Sequence, residues 1–428
     1  MQTISNHSQT FRATYGPSKP VDITAIKKKI QEQLDLYDKV NAKSGAENKA
    51  AVSTIPLGVH SSFQSFDPWP ISMTSAKGAW VTNVDGRKML DLSMGFGAML
   101  VGHLNPDVTE ELKKILDVGT LFTSPSPISR DAAEILCRRF GIDQIRFTNS
   151  GTESTLYAIR TAAAYTKKDG IAKIEGGYHG SGGPLMVSTK PPLDKIGSPE
   201  DPTPYVPPTS VAGEVHVVPY NNAESLERLF KKHASTISCL IMEPVMENIG
   251  IVVPDEGYLE RVRELCDQYG VLLVFDEVKT GLTAGPQGAA QRLGVIPDLI
   301  CLAKSIGGGV PLAAFGGKNE YMAAVSDGRM NHLGTFNGHL LGMAAVKVID
   351  RIATPEKLAE CESYNLQALN RIGEIISEYE LPAHSVGFGV KGCTTWSEKP
   401  VRNYRDYKAT DFDIAELSFL WSINHDIM

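Results

Sequence analysis

The sequence predicts an α/β protein: a mixed sheet of about seven strands held between helices in three layers, with a smaller α/β piece beside it. Three observations point there. From about residue 100, segments with apolar residues at i, i+3 and i+4 ("RDAAEILCRRF", "TESTLYAIRTAAAYTKK", "NNAESLERLFKKHAS", "DEGYLERVRELCDQYG") alternate with short apolar runs. Those runs ("IRFTN", "IAKIEG", "EVHVVPY", "SCLIMEP", "VLLVFDE", "DLICLAK", "AAFGG") are continuously apolar, as strands covered on both faces are. The length, 428 residues, exceeds what one simple core holds.

In chain order, the first 50 or so residues are polar, and "DITAIKKKIQEQLDLYDKVNAK" predicts one helix. The segment from "IPLGVHSSFQSF" to "LSMGFG" has turn dipeptides, Asp85-Gly86 among them, between β-rich runs, and predicts a small meander. The seven strands and their helices follow. Beyond about residue 345, helical patterns flank "SVGFGVKGCTTWS" and predict the smaller α/β piece. The Pro-rich stretch 188–210 reads as a long loop, of the kind that shields a site or lacks order.

Composition narrows the function classes. Hydrophobic content of 42% and charge of 21% are ordinary for a globular enzyme. A net charge of −7 with no basic block excludes a nucleic-acid footprint. No run approaches the roughly 18 apolar residues of a membrane span, and the polar start "MQTISNHSQTFRATYGPSKP" has no signal core, so no membrane partner and a cytoplasmic location are expected. The six cysteines form no CxxC pair and are expected to be free thiols in a reducing compartment; no metal is expected at the site.

Ligands of open α/β sheets sit at the carboxyl ends of the strands, so the residues there are the candidates. After "IRFTN", Ser150-Gly151-Thr152 opens a helix and offers hydroxyls, free amides and a positive dipole end to a phosphate; a plain N-cap supported by Glu153 accounts for them equally. GxxxxGK[ST] is absent, and GxGxxG occurs only at 387–392, away from these strand ends, which argues against a nucleotide here. After "IAKIEGG", Tyr178 and His179 could face a flat ring or be ordinary loop residues. Glu243 and Asn248 follow "SCLIM", Asp276 and Val278 follow "VLLVF", and Lys304 follows "LICLA". A carboxylate and an amine ending buried strands need partners. The simplest arrangement is that Asp276 and Lys304 pair with each other. The other is that both face one ligand with a phosphate, an aromatic nitrogen and an aldehyde, the three handles of pyridoxal phosphate. Phe63, Phe66, Trp69 and Phe96 are either a pocket wall or core of the small piece.

Five segments, "NSGTESTLYAIRTAA", "GGYHG", "IMEPVMENIGIVVPDEGYLERVRELCDQYGVLLVFDEVKTG", "GVIPDLICLAKSIGGGVPLAAFGG" and "LGTFNGH", resemble in order and spacing the class III (subgroup II) pyridoxal-phosphate aminotransferases, over roughly residues 55–428. The similarity is greatest to the glutamate-1-semialdehyde 2,1-aminomutase and β-amino acid transaminase branch. The resemblance implies a fold-type I homodimer. It implies an N-terminal segment, 1–98, belonging to a small domain, a large cofactor domain, 99–344, and a C-terminal small domain, 345–428. It implies Lys304 as Schiff-base lysine and proton carrier, and Asp276 as partner of the pyridine nitrogen. Val278 would lie on the ring face opposite Tyr178, with Ser150, Gly151 and Thr152 on the phosphate. Asn248 would stand near the ring hydroxyl, His179 beside the cofactor, and Thr335 at the phosphate of the neighbouring subunit.

The chain departs from that pattern in places. Residues 51–76 contain no Arg or Lys, and Gln64 stands where the aminomutase branch carries a carboxylate-gripping arginine. "GTFNGH" reads more like the transaminase members. The sequence ends at "LWSINHDIM", short of the family's last strand and helix, which is expected to expose apolar surface of the small domain. The sequence therefore predicts ping-pong amino transfer between an amino acid or amine donor and a carbonyl acceptor. The other readings are intramolecular transfer of the aminomutase type, racemisation, or a non-catalytic relative.

Overall fold

A computed structural model describes residues 12–15, 18–208 and 210–428. Most of the polar stretch 1–20, and Thr209 of the Pro-rich loop, lie outside them. Thirteen strands are formed among the described residues: β1 (Arg12–Tyr15), β2 (Met73–Lys77), β3 (Trp80–Asn83), β4 (Lys88–Leu90), β5 (Gln144–Thr148), β6 (Gly170–Ile174), β7 (Val215–Val218), β8 (Ile237–Met242), β9 (Leu272–Asp276), β10 (Leu299–Ala303), β11 (Ala313–Gly317), β12 (His384–Phe388) and β13 (Lys391–Thr395).

The seven apolar runs become one sheet in the order β5-β11-β10-β9-β8-β6-β7. β11 is antiparallel to both its neighbours, and the other adjacent pairs are parallel. Strand residues alternate between the two faces, and each face is covered by helices. Leu240, Met242, Leu273 and Phe275 pack in one cluster with Leu226, Phe230, Val262 and Leu265 of helices 223–233 and 258–269. Cys239, Ile241, Val274 and Cys301 pack in another with Ala158, Ile159 and Ala162 of helix 151–166. Ile300 and Leu302 join helices 127–140 and 340–352 in a third. The expected three-layer mixed sheet is what forms, and the continuous apolarity of β6 and β8–β11 follows from burial of every residue in them.

Two further three-stranded sheets, β2-β3-β4 and β1-β12-β13, lie outside it. The first is the meander read from the sequence. The single helix expected over 22–43 forms as two, Ile23–Val40 and Ala42–Ala51, broken at Asn41. The break has a use: Asn41 Oδ1 accepts from Arg87 Nη1 at 2.9 Å. The same Arg87 donates to Asp426 Oδ1 (2.8 Å), Ile423 O (2.8 Å) and Asn424 O (3.0 Å), tying the meander to the helix Phe412–Asn424. Leu90 exchanges backbone hydrogen bonds with Asp426 and Met428, and Tyr37, Met89, Leu420 and Ile423 share a core. No helix among the described residues is long and apolar enough to cross a membrane.

Arg87 is largely buried and bonds two segments distant from its own meander, Asn41 and residues 423–426. Arg87→Ala should leave two carbonyls and a carboxylate without their donor and lower the denaturant-measured stability by about 2–4 kcal/mol. Arg87→Lys, with no fork of donors, should recover only part of that.

Candidate active site

β8, β9 and β10 are parallel neighbours, so their carboxyl ends lie side by side and bring Glu243, Asp276 and Lys304 to one place. Helix 151–166 starts at the same end of the sheet, after β5. Together they line a cavity of about 340 Å³ with Ser150, Gly151, Thr152, Tyr178, His179, Val278 and Lys279. Eight of the ten residues singled out from the sequence therefore meet there. Asn248 lines a neighbouring cavity and donates from Nδ2 to Gly176 O at 3.2 Å. Thr335 is exposed and lies outside both.

The helix start is built for an anion. Ser150 caps it, its Oγ accepting from Glu153 N at 3.3 Å. Glu153 Oε2 in turn accepts from Asn149 N at 2.9 Å, so Glu153 shapes the turn and does not face the cavity. The amides of Gly151 and Thr152 have no protein acceptor among the described residues and sit at the positive end of the helix dipole. A Cβ on Gly151 would stand 2.9 Å from Val278 Cγ1, so only glycine lets this turn approach the β9 loop.

Asp276 is nearly fully buried. Its Oδ1 accepts from Val278 N at 3.0 Å, and its Oδ2 lies 2.8 Å from His179 Nδ1, which therefore carries the proton. The partner of Asp276 is thus His179 and not Lys304, which overturns the simplest sequence expectation. Lys304 is within salt-bridge distance of no acid among the described residues. It adopts φ +51°, a left-handed conformation unusual for lysine, at the start of a tight turn. Burial pushes its amine down to about 8, and the Lys279 and Lys391 charges add to this.

Sequence reasoning passed over a second ion pair. Glu243 Oε2 accepts from Lys279 Nζ at 3.2 Å and from Glu247 N at 3.0 Å, and Glu243 Oε1 accepts from Tyr178 N at 3.1 Å. Burial pushes the Glu243 carboxyl up, but the Lys279 and His179 charges and these amides together hold it below its ordinary value. Lys279 Nζ also stands 5.5 Å from the Tyr178 ring centre. The signal was present: Lys279 directly follows the "DEV" that ends β9. Lys173 was also missed, a lone lysine inside the run "IAKIEG". It is fully buried and donates to Gly177 O (3.0 Å), Leu185 O (2.9 Å) and Val187 O (2.6 Å), fixing the loop that carries Tyr178 and His179.

The four aromatics divide. Phe63 stands edge-on to Tyr178 at 5.3 Å with Phe96 beyond it, both half exposed. Phe66 and Trp69 pack around Tyr37 in the N-terminal core. Gln64 is exposed, its Oε1 accepting from Ser61 N in a capping box.

Comparisons with known proteins point to one family. The sequence pattern of the family Aminotransferase class-III matches residues 63–384. The glutamate-1-semialdehyde 2,1-aminomutase of Methanocorpusculum labreanum is 39% identical over 368 residues, covering 84% of this chain and 86% of the relative. Among solved structures, an omega-transaminase from Sphaerobacter thermophilus superposes with a TM-score of 0.82 at 31% identity, covering 87% and 86% of the two chains. A beta-phenylalanine aminotransferase from Variovorax paradoxus gives 0.84 at 29%, covering 94% and 90%.

Lys304 should react with formaldehyde and cyanoborohydride at lower pH than surface lysines, with labelling half-maximal near pH 8 by peptide mass spectrometry. The neutral amine is the reactive form, so labelling rises as pH increases. Lys279→Met removes a neighbouring positive charge and should move the midpoint upward. A Lys304 midpoint equal to that of surface lysines would contradict the environment described.

Proposed function

We propose that this chain, which belongs to the class-III aminotransferases, transfers amino groups through Lys304 in the cavity at the carboxyl ends of β8, β9 and β10. As a family member it is a pyridoxal-phosphate enzyme that moves an amino group between an amino donor and a carbonyl acceptor, both small molecules. The observation that carries the residue assignment is the convergence in one cavity of a helix start with free amides, a buried carboxylate and an amine that has no acidic partner among the described residues. These are the three groups that the cofactor needs, and the residues present fit it.

Bound there, pyridoxal phosphate supplies an aldehyde for condensation with amines and a ring that takes up electron density when its nitrogen is protonated. The amides of Gly151 and Thr152 and the hydroxyls of Ser150 and Thr152 hold the phosphate. Asp276, fixed by His179 and the Val278 amide, keeps the ring nitrogen protonated. Tyr178 and Val278, which line the cavity, would hold the ring in place. Lys304 would supply the amine that condenses with the aldehyde and, once freed, the base that takes a proton from the substrate Cα and returns it on the cofactor side. Donor and acceptor use the same cavity in turn. Asn248 and Thr335 take the outlying roles of the resemblance, toward the ring hydroxyl and toward the phosphate of a second copy. A homodimer is supported by Leu333 and Phe336, which flank Thr335 and are 75% and 60% exposed.

Intramolecular transfer of the aminomutase kind is the second reading. It is the less supported because Gln64 presents an amide where that branch has an arginine, and the cavity's own cations, among the described residues, are Lys304 and the Glu243-paired Lys279.

The purified protein with pyridoxal phosphate should show the visible absorbance of the lysine-bound cofactor, and one amino donor of a panel should bleach it. Lys304→Ala should abolish the band and slow transfer by roughly a thousandfold or more. A Lys304→Ala variant as fast as the parent would overturn the assignment. Consumption of glutamate 1-semialdehyde without any added acceptor would favour the second reading.

A further inference from the structure

At the opposite end of the sheet from the cavity, three side chains converge that amino transfer does not use. Glu214 precedes the edge strand β7, and His216 is its second residue; two apart in an extended chain, they share a face. His233 is the last residue of helix 223–233. The backbone beneath all three is fixed. Ile171 N donates to Glu214 O (3.0 Å), His216 pairs with Ala172 in the ladder, Thr236 N donates to His233 O (3.0 Å), and Gly170 N donates to Thr236 O (3.0 Å).

The ligand atoms available on Glu214, His216 and His233 lie within 4.8 Å of one another. The two imidazoles face each other with centres 4.4 Å apart and planes tilted by 34°. His216 Nε2 is 2.7 Å from Glu214 Oε1. Thr236 Oγ1 donates to the same oxygen at 2.6 Å, the kind of outer contact that orients a ligating carboxylate. Bond lengths of about 2.0–2.2 Å place tetrahedral ligand atoms roughly 3.3 Å apart, which small side-chain rotations reach from here. Of the two lysines in the same last turn, Lys231 is paired with Glu227 at 2.9 Å, and Lys232 directly precedes His233. His233 also stands at the negative end of its helix, which favours a positive charge.

We propose that Glu214, His216 and His233 form a binding site for a borderline divalent transition ion, zinc foremost, that links edge strand β7 to the end of helix 223–233. Two imidazoles and one carboxylate suit zinc, cobalt or nickel, and lack the oxygen count that calcium or magnesium requires. The remaining coordination position faces water, since Glu214 is exposed. Each histidine would bind through a ring nitrogen that carries no proton.

The test uses the full-length enzyme loaded with its cofactor, stripped with a chelator, dialysed against micromolar zinc chloride and assayed for metal by mass spectrometry. The parent should hold one zinc ion per chain and melt at a higher temperature with zinc than without. His216→Gln and His233→Gln should each lose the ion and the shift while keeping the parent's transfer activity, which shows that they fold. Thr236→Val should weaken binding by about tenfold or more. Cys361→Ser, removing the exposed thiol, should change nothing. Absence of zinc in the parent, or equal zinc in the two histidine variants, would overturn the site. Neither result would touch the assignment of Lys304.

Discussion

Charge carried into an apolar interior is the constraint around which this protein is arranged. The central strands are buried along their whole length, yet ionisable groups stand within them or at their carboxyl ends. Nearly every one is compensated. Asp276 has His179 and an amide, Glu243 has Lys279 and two amides, and Lys173 has three carbonyls. Glu277, pushed up to about 7 by burial, accepts from the amides of Ala289 and Ala290 and from Thr280. Lys304 stands apart: among the described residues no acid or acceptor bonds its amine, and the Lys279 and Lys391 charges bear on it. The compensation of the others is what leaves its amine available.

The same groups organise the approaches to the cavity. Lys173 gathers the carbonyls of 177–187, and Glu175 binds Arg405 through two hydrogen bonds. Arg405 continues to the carbonyls of Ile196 and Gly197, inside the Pro-rich stretch. Lys391 of β13 reaches Glu247 and the Lys279 carbonyl. The last hundred residues thus contribute cations that fix loops of the seven-stranded sheet, and the electrostatics of the cavity depend on chain segments distant in sequence.

What could be read beforehand divides along that line. The strands announced themselves because full burial leaves a continuous apolar run, and with the strands came the residues at their ends: Asp276, Lys304, Tyr178 and the Ser150–Thr152 turn. These are local properties of a chain. The contacts that were missed are non-local. Nothing near Lys279 in sequence reveals Glu243, and nothing near Asp276 reveals His179. Periodicity carried one helix through Asn41, where a distant arginine holds a break. The aromatics 63–69 read equally as pocket wall or core, and side-chain direction sets Phe63 against Tyr178 and sends Phe66 and Trp69 to the core.

Lys304 also carries the cost of its position in its own backbone. A left-handed conformation disfavours a side-chain-bearing residue by about 1–2 kcal/mol, and glycine escapes that penalty. Burying an amine without an acceptor adds to the disadvantage. Folding alone would therefore prefer glycine at this position. A lineage released from the demand for chemistry would find stability and function pulling in opposite directions at one codon, and the first change it accepted there would make the protein sturdier as it fell silent.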